Sequence, residues 1–329
     1  MVNFPESLYD DHKGASSSNS APQTTARPQF FTAADRAEIQ QWINLLNQPQ
    51  TRAEAITQIS NLYRTHKEKG GRELGLLLWN SKGTAFSLLE ELLSVYKVLS
   101  PSRLRMVQAT KVCNALALIQ CMATHPEARL ELLKAHIPVY IYPLLNTTEK
   151  QLPQYDYVRL NSLMVIGALL KVEDLKTTEI VRYLLQSETV PLCLRCMDVG
   201  NELTKSMAAY VLGKILGQEE GKFYCGSFTE RFFSLSRALS KMVHEFAGKP
   251  RPALLKNTLI CYLRLSEISR SVGCVDALKK RYPKRLMDPT YLHHVCVIIS
   301  NTLNIGPYKS SILIEQLRRS SNSLYPFAF

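Results

Sequence analysis

With 329 residues of which 46% are apolar, the chain has enough bulk for a continuous buried core, which excludes a wholly disordered protein. Lysine and arginine exceed aspartate and glutamate by 40 to 28, and the formal charge of +12 favours acidic partners without choosing between nucleic acid and acidic protein surfaces. No window approaches 18 uninterrupted apolar residues and the opening MVNFPESLYDDHKG lacks a basic run followed by an apolar stretch, so no membrane-spanning helix and no secretory or transit segment is expected.

Residues 1–33 include GASSSNSAPQTTARP, a Ser/Pro/Thr/Ala-rich stretch with too little bulk to bury, and read as a disordered N-terminal extension, the fold beginning near Phe31. Thr32 has the chemistry of a helix cap, and Ile39, Trp42, Ile43, Leu45 and Leu46 follow at helical spacing. This first helix is expected to end near Asn47-Gln48-Pro49. Beyond it, apolar segments of helical length alternate with short polar, Pro- or Gly-containing links, and no strand alternation appears.

Four segments share one pattern, small or polar at the start and then apolar: NALALIQCMA from Asn114, NSLMVIGALL from Asn161, SMAAYVLGKIL from Ser206 and NTLICYLRLS from Asn257. Their starts lie 47, 45 and 51 residues apart, which fits the roughly 40–47 residues of armadillo or HEAT units with loop insertions. Pro138 and Pro191 stand where a first helical turn tolerates a missing N–H. The fold predicted is all-α, a right-handed superhelical armadillo solenoid of about six repeats over residues 34–292, with one face left as a binding groove.

No Gly-rich phosphate loop, G-x-S-x-G elbow or H-E-x-x-H motif occurs, so neither catalysis nor a cofactor is expected. Cys193 and Cys196 have C-x-x-C spacing but lie in an apolar helical run without a second ligand pair, which favours packing over zinc or redox chemistry. Cys113, Cys121, Cys225, Cys261, Cys274 and Cys296 read likewise as reduced core residues, and the cytosol, with the nucleus second, is the expected compartment. Adjacent His293 and His294 project about 100° apart on a helix and make a poor metal pair, while His125 and His136 stand at helix ends where local hydrogen bonds are expected. From Thr229 to Leu286, thirteen basic residues face four acidic ones. Either a phosphate-binding groove using Arg251, Lys256 and Arg264 or an ordinary solvated surface would give that excess.

The block KVCNALALIQCMATHPEARLELLKAHIPVYIYPLLN, residues 111–146, resembles the centre of the required-for-cell-differentiation family, the Caf-forty armadillo subunit of the Ccr-Not mRNA deadenylase complex. The likeness continues through IQQWINLLNQPQTR, LLWNSKGT, YVRLNSLMVIGALLK, ETVPLCLRCMDVGNELTKSMAAYVLGKIL, TERF and LLKNTLICYLRLS, spanning about residues 36–292. It implies a non-catalytic subunit held on the large Not-one scaffold, recruiting RNA-bound regulators through short linear motifs so that poly(A) tails shorten and translation is repressed. A homodimer is a further expectation from the family.

By the same resemblance, Leu203, Ser206 and Met207 would contact the scaffold, and Pro191, Leu203, Ser206, Thr229 and Arg231 would form pockets for tryptophan side chains. Thr229 stands where the family has an aromatic ring. A groove for short helical peptides would be lined by Asn80, Lys82, Phe86, Leu93 and Met164, and there Asn80, Lys82, Phe86 and Met164 replace His, Phe, Ala and Gly. A helical ligand is expected to fit that altered groove badly. Ala253 replaces a basic residue of the family's cleft, with Arg251 two positions away, and residues 293–329 depart from the family pattern, as in a divergent paralogue.

Overall fold

The computed structural model describes residues 30–66, 70–100, 103–245 and 252–268. Its helices are α1 (Ala33–Leu46), α2 (Arg52–His66), α3 (Gly71–Asn80), α4 (Thr84–Leu93), α5 (Tyr96–Leu99), α6 (Met106–Ala123), α7 (Ala128–Lys134), α8 (Tyr142–Leu145), α9 (Pro153–Leu169), α10 (Thr177–Gln186), α11 (Thr189–Val199), α12 (Glu202–Leu216), α13 (Glu219–Gly226), α14 (Thr229–His244) and α15 (Pro252–Ile268), with a 3-10 segment Ile137–Ile141 leading into α8. No strand occurs among the described residues.

Contacts between elements sort these helices into three rows. One runs α3, α7, α10, α13. A second runs α1, α4, the 3-10 segment with α8, α11 and α14, and the third is α2, α6, α9, α12, α15. Each repeat therefore contributes one helix to each row, the first unit lacking a member of the first row among the described residues. This is the stacking of an α solenoid, and the four similar segments of the sequence are successive members of the third row. The expected sixth unit falls beyond residue 268, outside the described residues.

The third row forms the spine. Every residue from Val112 to Ala123 in α6 and from Val158 to Leu169 in α9 is buried. Such helices have no solvent stripe, which is why their sequences read as unbroken apolar runs. By contrast, α10 buries Thr177, Ile180, Val181 and Leu184, and α14 buries Phe232, Leu235, Ser236, Leu239, Met242 and Val243, the stripes of helices with one wet face.

Two of the polar residues that begin the similar segments bond along the spine to the neighbouring helix, and one bonds within its own. Asn114 accepts from Arg64 Nη2 of α2 at 2.7 Å, and Asn257 Nδ2 donates to both the carbonyl and hydroxyl oxygens of Ser206 at 3.1 Å. Asn161 Nδ2 satisfies the Tyr157 carbonyl at 2.8 Å within its own helix. Arg159, fully buried, donates to Thr147 Oγ1 at 3.0 Å, to Asp156 Oδ1 at 3.0 Å and to the Glu149 carbonyl. Asp156 Oδ1 also accepts the Asn201 N–H at 3.1 Å, so one ion pair ties the loop before α9 to the start of α12.

At the N-terminal end Thr32 and Asp35 form a reciprocal capping box, Thr32 Oγ1 accepting the Asp35 N–H at 3.2 Å. Phe31 is buried, and the N–H groups of Phe30 and Phe31 reach Glu73 Oε2 at 2.7 and 3.3 Å, so the fold takes in Phe30, Phe31 and Thr32 of the expected extension.

Helices of the second row are entered through a recurring corner. Gly83, His136 and Glu188, each immediately before a second-row element, have φ of 84°, 54° and 61°. Only glycine takes this left-handed geometry without a steric penalty of about 1–2 kcal/mol. Glu188→Gly is therefore expected to keep or raise the urea midpoint, whereas Gly83→Ala costs about 1–2 kcal/mol, a contrast measurable by equilibrium unfolding.

Candidate binding surfaces

The residues expected to meet a scaffold divide sharply. Leu203 is half-buried near the start of α12, but Ser206 and Met207 are only 2% and 3% exposed. Ser206 takes both hydrogen bonds from Asn257 of α15, and the Met207 methyl lies 2.3 Å from where a Cβ on Gly167 of α9 would stand. These two side chains clamp α12 between its spine neighbours. The expectation that they form an external docking face is corrected: Met207 fills the slot that the glycine of α9 leaves open, and Leu203 alone of the three has accessible surface.

The same burial removes Ser206 from any pocket wall. Pro191 is exposed and lines an open cavity of ≈ 600 Å³ with Val139, Tyr142, Pro143, Glu188 and Arg195, between α8 and α11. Arg231 lies on α14, which packs on α11. Its guanidinium carbon is 3.9 Å from the Tyr224 ring centre and 4.6 Å from that of Phe228, and Nη1 donates to the Tyr224 carbonyl at 3.2 Å. Thr229 is exposed at the start of α14. Phe228, one residue before Thr229, is 59% exposed, and Phe223, 77% exposed, stands on the preceding helix. Sequence reasoning passed over both, although a phenylalanine at a polar helix start (GSFTERFF) is a readable signal.

In the expected peptide groove, Asn80 and Lys82 are exposed at the α3–α4 corner, and Phe86 and Leu93, seven residues apart and hence on one face of α4, are 66% and 43% exposed. Met164 is 5% exposed inside α9 and cannot touch a ligand there, which corrects its assignment to the groove. Phe86 does not fill a hollow. Val139 and Tyr140 of the next second-row element, which packs on α4, are exposed as well, and Tyr96 Oη donates to the Tyr140 carbonyl.

Among the nucleic-acid candidates, Arg251 lies outside the described residues, as do the basic residues from Arg270 to Arg285. Arg264 pairs with Glu267 at 2.9 Å, and Lys256 is half-buried. Lys241 is held by Asp198 and Glu245, and Arg231 by its two rings. The described basic side chains of this stretch thus largely serve internal contacts. Exposed ion pairs of this kind carry little energy but orient the charges along the chain surface.

His125 is buried and its Nδ1 accepts the Glu127 N–H at 3.3 Å, a local cap, while His136 Nδ1 meets Tyr183 Oη at 3.3 Å. His293, His294, Cys274 and Cys296 lie outside the described residues. The six described cysteines are buried and form no disulfide among the described residues. Burial pushes the thiols of Cys113, Cys196, Cys225 and Cys261 up to about 12 and that of Cys193 well above its usual range. No group of three His, Cys, Asp or Glu able to hold a metal ion occurs among the described residues, and none of their helices is long and apolar enough to cross a membrane.

Comparison with known proteins places this architecture. Residues 42–298 match the family described as "Cell differentiation family, Rcd1-like". The chain is 39% identical over 255 residues to "Cell differentiation protein rcd1" of Schizosaccharomyces pombe, covering 78% of this chain and 86% of that protein. It is 38% identical over 260 residues to "Protein CAF40" of Saccharomyces cerevisiae, covering 79% of this chain and 66% of that one. Among solved structures, a designed armadillo repeat protein in complex with peptide (KR)4 superposes with a TM-score of 0.55 at 15% identity, covering 87% of this chain and all of that one, 100%. That likeness speaks to the fold.

Two outcomes are expected. Met207→Glu buries a carboxylate without a partner and lowers stability by more than about 3 kcal/mol, seen in urea unfolding, while Phe228→Ala changes it little. The thiols of Cys113, Cys193, Cys196, Cys225 and Cys261 stay protonated in the folded chain, so they resist iodoacetamide at pH 8 and react on unfolding. Since their folded pKa lies above the unfolded one, stability is full below about pH 9 and is lost as pH rises toward about 12; alkylation mapping and unfolding at two pH values check both.

Proposed function

Because the chain belongs to the Rcd1-like cell differentiation family, we propose that it is a non-catalytic adaptor of the Ccr-Not deadenylase complex. In this reading it docks on the Not-one scaffold and presents regulators that bring target mRNAs to the deadenylase, repressing their translation and promoting decay. The family match across nearly all the described helices is the observation that carries the proposal. A rigid α solenoid suits such work, since its function lies in surfaces held at fixed separations along the array.

The scaffold contact proposed here centres on Leu203 and the exposed residues around the start of α12, with Ser206 and Met207 supporting that helix from inside. Regulators bearing tryptophan side chains would use the shelf of Arg231 and Phe228 and the cavity beside Pro191, where an indole finds ring faces, a guanidinium and apolar walls. The cytosol, with a nuclear pool, is the proposed site of action.

Size-exclusion chromatography of the full chain mixed with a Not-one scaffold segment tests this. Co-elution is expected for the wild type, and Leu203→Glu should weaken it at least tenfold with a far smaller loss of stability than Met207→Glu. A wild-type chain that elutes alone would sink the proposal. Undiminished binding of a folded Leu203→Glu chain would move the docking site elsewhere.

A further inference from the structure

The start of α6 carries a surface that no part of the proposed adaptor role uses. Between Glu91 and Glu127 the sequence contains no acid, yet it holds Lys97, Arg103, Arg105 and Lys111. All four cationic residues are exposed, and none makes an ion pair among the described residues. This sets them apart from Lys150, Lys205, Lys214, Lys222 and Lys241, each of which is matched to a carboxylate.

Two aliphatic side chains stand among these charges. Met106 is 43% and Val107 67% exposed, and with Thr110 and Lys111 they form the wet face of the first turns of a helix that is enclosed from Val112 onward. The neighbouring helix brings a third apolar group. Gln154 Nε2 donates to the Leu104 carbonyl at 3.0 Å and Tyr155 Oη accepts the Leu104 N–H at 3.1 Å, fixing this segment against the start of α9, where Leu152 is 37% exposed. The acid of that approach, Glu149, has its Oε1 on the Gln151 N–H at 2.9 Å.

We propose that this patch docks an acidic peptide segment whose aliphatic anchors pack on Met106, Val107 and Leu152 while its carboxylates meet Arg103, Arg105 and Lys111. Charge complementarity selects the occupant: unpaired cations around apolar side chains complement acids around apolar side chains. A flexible methionine adapts to differing anchors. The six side chains that would meet the ligand include no aromatic ring, and Tyr155 beneath them is buried, so a nucleobase has nothing to stack on, which argues against a single-stranded nucleic acid. Three aliphatic side chains give little apolar area, so the contact is of the weak, transient class and salt-sensitive.

The test is a display selection of random 16-residue peptides on the full wild-type chain and on the Arg103→Glu/Arg105→Glu/Val107→Glu variant, whose altered residues are exposed and whose folding is checked by its thermal midpoint. Expected are wild-type-enriched peptides with several Asp or Glu flanking two or three aliphatic residues, at least tenfold weaker on the variant and weakened by added salt. Oligouridylate and phosphatidylserine vesicles are run in parallel. No enrichment, a consensus without acids, or equal enrichment on the variant overturns the proposal. So does tighter binding of oligouridylate or vesicles that depends on the same three residues. Val107→Ser alone, which keeps every charge, should also lose affinity, and full retention would reduce the patch to a merely electrostatic one and overturn the anchoring.

Discussion

A helix stretch with no wet face cannot be oriented by amphipathicity, and the middle of this protein's spine, in α6 and α9, is built from such stretches. From Val112 to Ala123 and from Val158 to Leu169 every side chain is enclosed, so the position of α6 and α9 depends on what their few polar groups bond to. Arg159 shows how that works. Burying a guanidinium costs several kcal/mol in desolvation, and the cost is offset only where Thr147, Asp156 and the Glu149 carbonyl stand in one arrangement. A slip of α9 by one residue would carry Asp156 along with Arg159 but take the guanidinium off Thr147 and the Glu149 carbonyl, and the carboxylate off the Asn201 N–H. Arg129, equally buried, repeats the device one loop later by meeting Asp174 and the carbonyls of Leu169 and Val172. The pairs therefore serve as register pins more than as net sources of stability.

Enclosing the spine determines where binding can take place. The enclosed stretches of α6 and α9 offer nothing to a partner, and accessible apolar groups stand elsewhere: Met106 and Val107 at the start of α6, Leu152 before α9, Phe86 and Leu93 on α4, Val139 and Tyr140 in the 3-10 segment, Phe223 on α13 and Phe228 before α14. These lie on different units of the array, which lets separate partners be held without competing for one cleft. Each group also has its own electrical setting. The α6 start is cationic and unpaired, the Phe228 shelf has its one arginine already stacked, and the cavity at Pro191 has both Glu188 and Arg195 in its lining.

Much of this was legible in the chain itself. Asn114, Asn161, Ser206 and Asn257 gave the repeat because each stands inside a spine helix at the head of its most apolar stretch, and Thr32 gave the first boundary because a cap is a local interaction. Core packing of Cys193 and Cys196 followed from their apolar setting, which the buried, unpaired thiols match. Burial of Met164 and Met207 was not legible, since it is decided by helices far away in sequence: Met207 is enclosed because Gly167, forty residues earlier, leaves it room. Family resemblance could say which positions mattered, but not whether these side chains reach solvent. The pairing of Lys241 was hidden for a related reason, as a count of charges along a segment carries no information about a partner such as Asp198 on another helix, whereas that of Arg264 with Glu267, three residues on in the same helix, was readable from the spacing.

The left-handed corners at Gly83, His136 and Glu188 imply something about how a repetitive array acquires a singular place. Three times the backbone turns into the second row by the same joint, whichever residue fills it, so the geometry belongs to the stacking more than to the side chain. At the next corner the joint is replaced: Phe228, just before α14, is extended, with φ −131° and ψ 118°. Breaking the repeat there gives an outward-facing ring to a position that an unbroken array would have used for turning. Periodicity supplies the frame, and the departure from it supplies an address.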